Sequence, residues 1–274
     1  MRERAAPRTR RCRHENERSV TEPARISSSL QSPPPELRGM RGVFLNERDG
    51  PLPAFLMTLT VVAGLLDAVS ILRLGGVFVA TMTGNLVFLG LAAAGAKAFA
   101  VGTSALAVGG FVVGVPIGGW ACRAARSHRG AALRNVLAVK LWLAGAVLVI
   151  TVATGSTFSR GTRDVMVVLL AMSMGAQLAV IRYLKVADLM TVVLTMTITG
   201  ALSERASGWR DPTLVRRGLA VGCFAVGAVA GGLLVLNVGV TAALSLGLCI
   251  LVLVAIASHR VSGSSTSWSA PRSA

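Results

Sequence analysis

The chain is poor in charge for its length of 274 residues. Charged side chains make up 15% of it, whereas a typical soluble domain carries about 25%. The few that occur are unevenly distributed, since residues 1–50 hold 11 of the 28 basic and 7 of the 12 acidic side chains. After residue 50, long apolar runs alternate with short basic gaps. These runs lack the charged faces that helices around a soluble core require.

Cysteine and histidine are also scarce, which removes most residues that metal sites and nucleophilic catalysis use. The four cysteines include no CxxC pair, so the sequence predicts neither a disulfide framework nor a zinc site. The three histidines lie in the N-terminal tail, in a loop and at the C-terminal end: His14, His128 and His259. We therefore expect no catalytic residues, no enzyme activity, no metal and no cofactor.

The net charge of +16 raises the question of nucleic-acid binding. The arginines, however, occur in short gaps at the ends of apolar runs, where the positive-inside rule of membrane proteins already explains them. We therefore expect no nucleic-acid partner.

Eight apolar runs are each close to the roughly 20 residues that a helix needs to cross the hydrocarbon core, where backbone groups must be bonded internally. The runs are 52–72, 75–96, 98–121, 135–157, 164–184, 186–202, 218–236 and 239–257. A soluble core does not bury eight such helices. The sequence predicts an all-α fold, a polytopic membrane helical bundle of six to eight segments. One transmembrane domain, 51–258, then lies in the lipid bilayer.

The two ends have a different composition. Residues 1–50 are rich in Arg, Glu, Ser and Pro and lack the apolar core of a signal peptide, which predicts a disordered, arginine-rich cytoplasmic tail. An arm that binds anionic lipid, an unselected extension, and a true start at Met40 are the alternatives for residues 1–39. Residues 259–274 form a second, flexible tail.

Matching motifs predict an internal duplication of about 112 residues. Repeat one covers 52–157 and repeat two covers 164–258. The offsets are 111 from Gly64 to Gly175, 112 from Thr83 to Thr195, and 113 from Gly114 to Gly227. Chance matching of small apolar residues is the alternative, because Gly, Ala and Val dominate the chain.

The number of crossings decides how the two copies are related. If all eight runs cross, the copies are parallel and the basic residues in the gaps divide eight to seven between the two sides. If 75–96 and 186–202 each enter and leave on one side, the copies are inverted and the division is eleven to four. The positive-inside rule favours this 3+3 arrangement in a bacterial inner membrane, with both termini cytoplasmic. The apolar length of 75–96 favours the eight-span arrangement.

Both doubtful runs contain residues that disfavour a rigid helix interior. The first has Thr81, Thr83, Gly84 and Asn85, and the second has Asp188, Thr191, Thr195 and Thr197. A broken helix at membrane depth is tolerated where it lines a cavity, and its ends offer backbone groups to an ion or solute. The alternative is that the hydroxyls bond to their own helix and the glycine packs against a neighbour.

Asp67 is the single acidic residue of the first run, about 7–8 Å from its centre at ~1.5 Å per residue. A carboxylate in hydrocarbon is by default a candidate for binding a cation or carrying a proton. Pairing with Arg73, capping the next helical turn and facing interfacial water are the alternatives. Gln177 lies near the aligned position of the second copy, where Leu178 matches Asp67, so any carboxylate role is asymmetric.

The runs 65–92 and 174–200 together resemble the YoaK-like family of bacterial multi-pass membrane proteins, which is defined as a domain of unknown function. The resemblance rests on Asp67-Ala68-Val69 and Met82-Thr83-Gly84-Asn85 and covers about residues 52–258. The second motif departs from the family pattern at Leu178, where Asn is usual, and at Met196, where Gly is usual. The resemblance implies a membrane fold and no particular activity.

Two functions fit these features. The first is a transporter or exporter of a small solute or ion, whose substrate-binding residues are the polar positions of the two doubtful runs together with Asp67 and Gln177. The second is a non-transporting scaffold or envelope-assembly protein that acts through helix–helix contacts. Glycines at 110, 114, 118, 227 and 231 have the small-xxx-small spacing that lets helices approach closely, within one chain or in a homo-oligomer.

Overall fold

The computed structural model describes residues 51–96, 101–125, 128–155, 157–184 and 212–262. Within these ranges the chain forms α-helices and no strand, which confirms the all-α prediction. The helices are α1 (Leu52–Arg73), α2 (Met82–Ala93), α3 (Val101–Arg123), α4 (Arg129–Thr154), α5 (Arg160–Leu184), α6 (Pro212–Asn237) and α7 (Val240–Ser262).

Six of the described helices, all except α2, are long and apolar enough to cross a membrane. The chain is therefore a polytopic helical membrane protein, as the apolar runs predict. Helix α2 has 12 residues and a length of about 18 Å, well short of the roughly 30 Å of a hydrocarbon core. The alternative in which 75–96 spans the membrane as one helix is therefore wrong. The run 186–202 and the two tails lie outside the described residues.

Helix α4 begins earlier than the apolar run predicts, at Arg129 rather than at residue 135. His128 precedes the helix, and its side chain accepts a hydrogen bond from the Ala131 N–H. The Arg129 guanidinium donates to the Leu184 carbonyl at 2.7 Å, at the end of α5. The first turn is helical because polar side chains, rather than apolar ones, satisfy and anchor this end.

Helices α3 and α5 run parallel in close contact along a glycine face. A Cβ added to Gly110 would lie 2.8 Å from the Val168 carbonyl oxygen, and one added to Gly118 would lie 2.6 Å from the Ala176 Cα. Between them, a Cβ on Gly114 would collide with the Met172 carbonyl. Residues further along α3 therefore contact residues further along α5, so the two helices are parallel. Because the glycines have no side chains, the two backbones can approach closely.

Helices α1 and α6 form a second parallel pair of the same kind. A Cβ on Gly227 would collide with the Val61 carbonyl, and one on Gly231 would lie 2.8 Å from the Leu65 carbonyl oxygen. On α1, a Cβ added to Gly64 would likewise collide with the Phe224 carbonyl.

The ends of the helices fix which of them share a side of the bundle. Gly75, just after α1, lies against the Thr103 side chain near the start of α3. The Thr103 hydroxyl in turn donates to Asp164 at 3.1 Å, near the start of α5. Helix α1 therefore ends at the side where α3 and α5 begin. We call this side the Arg73 face and the opposite side the Leu52 face.

Two consequences follow from this arrangement. Helices α1 and α3 cross in opposite directions, so the chain between them begins and ends at the Arg73 face. Because α5 is parallel to α3 and α6 is parallel to α1, Leu184 at the end of α5 and Pro212 at the start of α6 both belong to the Leu52 face.

Candidate functional site

The connection after α1 turns back toward the bundle instead of continuing outward. The Leu74 N–H donates to the Ser70 carbonyl at 2.9 Å, which closes the helix. Gly75 and Gly76 then adopt φ values of 108° and 73°, a left-handed backbone that side-chain-bearing residues rarely adopt. These two glycines reverse the chain, and residues 77–81 return alongside α1.

One carboxylate holds the returning segment. Asp67 Oδ1 accepts the backbone N–H groups of Val79 and Ala80, both at 2.7 Å, and Oδ2 accepts the Thr81 hydroxyl at 2.8 Å. Asp67 is 2% exposed and lies six residues, about 9 Å, before the end of α1. The returning segment therefore lies inside the bundle at membrane depth. We call these three hydrogen bonds the Asp67 clasp.

Asn85, the buried residue of α2, binds the same segment at Phe78, the residue before Val79. Its Oδ1 accepts the Phe78 N–H at 2.9 Å and its Nδ2 donates to the Phe78 carbonyl at 2.6 Å. Gly84 leaves room for the Phe78 ring, because an added Cβ would lie 2.6 Å from that ring. Phe78 also stacks on Phe88 at 5.9 Å between ring centroids.

The two side chains together solve the problem that non-helical backbone meets in a membrane. Three consecutive N–H groups, those of residues 78, 79 and 80, find acceptors on Asn85 and Asp67. An unsatisfied backbone group in hydrocarbon costs several kcal/mol. Asp67 and Asn85 thus allow an irregular segment to lie where only helices are otherwise stable.

The structure brings together some of the site residues predicted from the sequence and not others. Asp67, Thr81 and Asn85 come together around residues 78–81, and Gly84 packs beside them. Thr83 is exposed on the first turn of α2, and Gln177 lies at the α4–α5 interface. The other predicted site residues, Asp188, Thr191, Thr195 and Thr197, lie outside the described residues. Within the described ranges Asp67 forms no ion pair with Arg73, so that alternative is wrong.

Lys140 is the polar residue that the sequence analysis missed. It lies within α4, is 0% exposed, and its Nζ donates to Gln177 Oε1 at 2.6 Å and to the Met174 sulfur at 3.9 Å. The signal was available, because a charged residue inside an apolar run is a candidate for function by the same rule that drew attention to Asp67. Lys140 also gives Gln177 a partner that its position in the predicted repeat did not suggest.

The chemistry of the site is that of hydrogen bonding and charge. No group of three or more His, Cys, Asp or Glu residues suited to a metal ion occurs in the described part of the chain. The Asp67 oxygens are occupied by donors of their own chain. An ion that binds Asp67 must therefore compete with the Asp67 clasp.

Comparison with known proteins agrees with this architecture. Residues 55–257 match the family described as "Protein of unknown function (DUF1275)". The UPF0700 transmembrane protein YoaK of Bacillus subtilis (strain 168) is 33% identical over 189 residues, which are 64% of this chain and 80% of that protein. No solved structure matches the chain significantly. The resemblance to YoaK-like membrane proteins predicted from the two motifs is confirmed.

Proposed function

The chain belongs to the DUF1275 family of proteins of unknown function, and within that family we propose that it transports a small solute or ion across the bacterial inner membrane. The observation that carries the proposal is the segment 77–81, an irregular backbone held at membrane depth by the Asp67 clasp. In membrane proteins such backbone is tolerated only where it is covered by protein or lines a cavity, and interrupted helices are where transporters bind their substrates.

The Asp67 clasp also suggests how binding and movement are coupled. In the closed arrangement the carboxylate accepts two N–H groups and one hydroxyl. A proton or metal cation that binds the carboxylate weakens or replaces these bonds, and the segment is then released from α1. Occupation of Asp67 and opening of the segment are therefore linked, which is the property that a gate requires.

Reconstitution into liposomes tests the transport proposal. We expect the purified protein to move at least one member of a panel of cations, anions, small carboxylates, amino acids and sugars. Thr83→Val is expected to lower that flux about tenfold, because it removes one exposed hydrogen-bonding group at the first turn of α2. Its unfolding midpoint should not change, since the Thr83 side chain has no hydrogen bond within the described residues.

Thr58→Val is the matched control for this variant. The Thr58 hydroxyl donates to the Ala54 carbonyl of its own helix at 2.9 Å, so its loss should leave the flux unchanged. A protein that inserts correctly yet moves no member of the panel refutes the proposal. Equal flux in Thr83→Val and wild type removes Thr83 from the site.

The charges of the two faces support a cytoplasmic Leu52 face. That face carries Arg123, Arg129, Arg182, Arg216 and Arg260. The Arg73 face carries Arg73, Arg160 and Arg163. Arginines near helix ends accumulate on the cytoplasmic side, so we assign the Leu52 face, with the start of α1 and the end of α7, to the cytoplasm.

We further propose that the two halves are inverted copies. Gly64 lies against the Phe224 carbonyl, and Gly175 lies against the Phe111 carbonyl. In the predicted repeat, Gly64 corresponds to Gly175 at an offset of 111 residues and Phe111 corresponds to Phe224 at an offset of 113, so the two contacts are equivalent. A second pair of contacts is equivalent in the same way: Gly227 with Val61, and Gly114 with Met172. The opposite directions of α1 and of α5, its counterpart in the second copy, support the inversion: α1 ends at the Arg73 face and α5 begins there. An odd number of spans per copy would produce this reversal.

The scaffold function receives no comparable support. The glycines that were its basis contact neighbouring helices of the same chain: Gly110, Gly114 and Gly118 face α5, and Gly227 and Gly231 face α1. Their faces are therefore occupied. A homo-oligomer, if one forms, would need another surface.

A further inference from the structure

A second cluster of buried polar groups lies at the α4–α5 interface, away from the hydrogen bonds of the Asp67 clasp. Lys140 and Ser173 are both 0% exposed and Gln177 is buried. Ser173 and Gln177 are four residues apart on α5, so they lie on one face of that helix. Lys140 Nζ reaches this face through Gln177 Oε1 at 2.6 Å.

The cluster has more hydrogen-bond donors than acceptors. The Lys140 ammonium carries three N–H groups, of which one is given to Gln177 and one points at the weak Met174 sulfur acceptor. The Ser173 hydroxyl is buried without a hydrogen-bond partner. Within the described part of the chain, the Gln177 amide makes no hydrogen bond other than the one its oxygen accepts from Lys140. The Lys140 ammonium, the Ser173 hydroxyl and the Gln177 amide therefore each have an unused donor.

A purely structural role does not account for this composition. An ammonium group in hydrocarbon is costly, and the neutral Gln177 oxygen hydrogen-bonds to it without cancelling its charge. Within the described residues no carboxylate pairs with Lys140. Apolar side chains of similar volume usually give a core at least as stable as one with buried charges, so stability alone does not explain a lysine here.

We propose that Lys140, Ser173 and Gln177 form a binding position for a small anionic group, either a carboxylate or an inorganic anion. The anion cancels the Lys140 charge and accepts hydrogen bonds from the Ser173 hydroxyl and the Gln177 amide. The inference deepens the proposed transport function by giving the solute a negative charge, but the binding step itself does not depend on transport.

Equilibrium binding of radiolabelled acetate and chloride to the purified full-length protein in detergent tests the site. We expect saturable binding of one or both anions by the wild type. Lys140→Met should abolish it, and Ser173→Ala should weaken it about tenfold, because each hydrogen bond to a charged group contributes roughly one order of magnitude in affinity. Lys140→Met should also keep its size-exclusion profile, because methionine is apolar and of similar shape.

Two controls separate this site from the rest of the protein. Trp142→Phe alters an exposed side chain of the same helix and should bind as the wild type does, as should Thr58→Val, because the Thr58 hydroxyl donates within its own helix. Acetate binding without chloride binding identifies a carboxylate ligand, and the reverse identifies an inorganic anion. No binding of either anion, or binding that persists in Lys140→Met, overturns the proposal. Binding without flux contradicts the transport function alone, and flux without anion binding contradicts this inference alone.

Discussion

Replacing Asp67 by leucine is expected to release the segment 77–81 and to lower the free energy of unfolding by about 3–9 kcal/mol. The change leaves the N–H groups of Val79 and Ala80 and the Thr81 hydroxyl without an acceptor, at a cost of roughly 1–3 kcal/mol for each buried group. Asp67→Asn should cost less, about 1–2 kcal/mol, because its remaining oxygen still accepts both N–H groups.

Unfolding of the purified variants by SDS in mixed micelles measures these differences. Asp164→Asn serves as the control, because Asp164 accepts one hydroxyl at 3.1 Å in a partly buried position and should lose less than about 1 kcal/mol. If Asp67→Leu unfolds at the same SDS fraction as the wild type, the clasp does not stabilise the segment.

The second large effect is expected at Gly114, on the face that α3 presents to α5. In Gly114→Leu the new Cβ collides with the Met172 backbone carbonyl, and a backbone group has no rotamer by which it can move aside. Inserting atoms into a packed core usually costs about 1–3 kcal/mol, and a backbone collision should cost about 3 kcal/mol or more. The folded yield by fluorescence-detected size exclusion should fall accordingly.

Gly109→Leu is the matched control on the same helix, because nothing lies within 4 Å of a Cβ at Gly109. It should change the folded yield little. Equal yields for the two variants would show that α3 and α5 do not pack through Gly114. Because Gly114→Leu is expected to disrupt the fold itself, loss of function in that variant does not favour a scaffold over a transporter.

The sequence allowed the membrane class and most helices to be predicted, since hydrocarbon accepts only long apolar runs. The sequence placed the interruption at Thr81–Asn85, where polar residues in an apolar run are conspicuous. The irregular backbone instead lies just before them, at residues 74–81, and Thr83, Gly84 and Asn85 belong to the first turn of α2. The sequence did not reveal that Asp67 bonds to backbone 12 and 13 residues further on, since that contact depends on the reversal at Gly75 and Gly76. The spacing of apolar residues along the sequence does not indicate that the chain reverses there.

The sequence also did not predict which helices pack against each other. The glycine spacing of α3 predicted a close neighbour, but not that the neighbour is α5 rather than the adjacent α4. The start of α4 at Arg129 was not predicted because the apolar run begins only after the arginines. The helix nevertheless begins at Arg129, whose side chain hydrogen-bonds to the end of α5. Lys140 is a charged residue inside an apolar run, as Asp67 is, so the same rule identifies it from the sequence.

Two-sided labelling of single cysteines tests the central claim that the chain between α1 and α3 begins and ends at one face. In a background without the four native cysteines, Arg73→Cys, Gly102→Cys and Ala124→Cys are each treated with a membrane-impermeant maleimide in oriented vesicles. All three positions are exposed. We expect residues 73 and 102 to react from the same side and residue 124 from the opposite side only. Labelling of 73 and 102 from opposite sides would mean that the chain between α1 and α3 crosses the membrane, and would contradict the account.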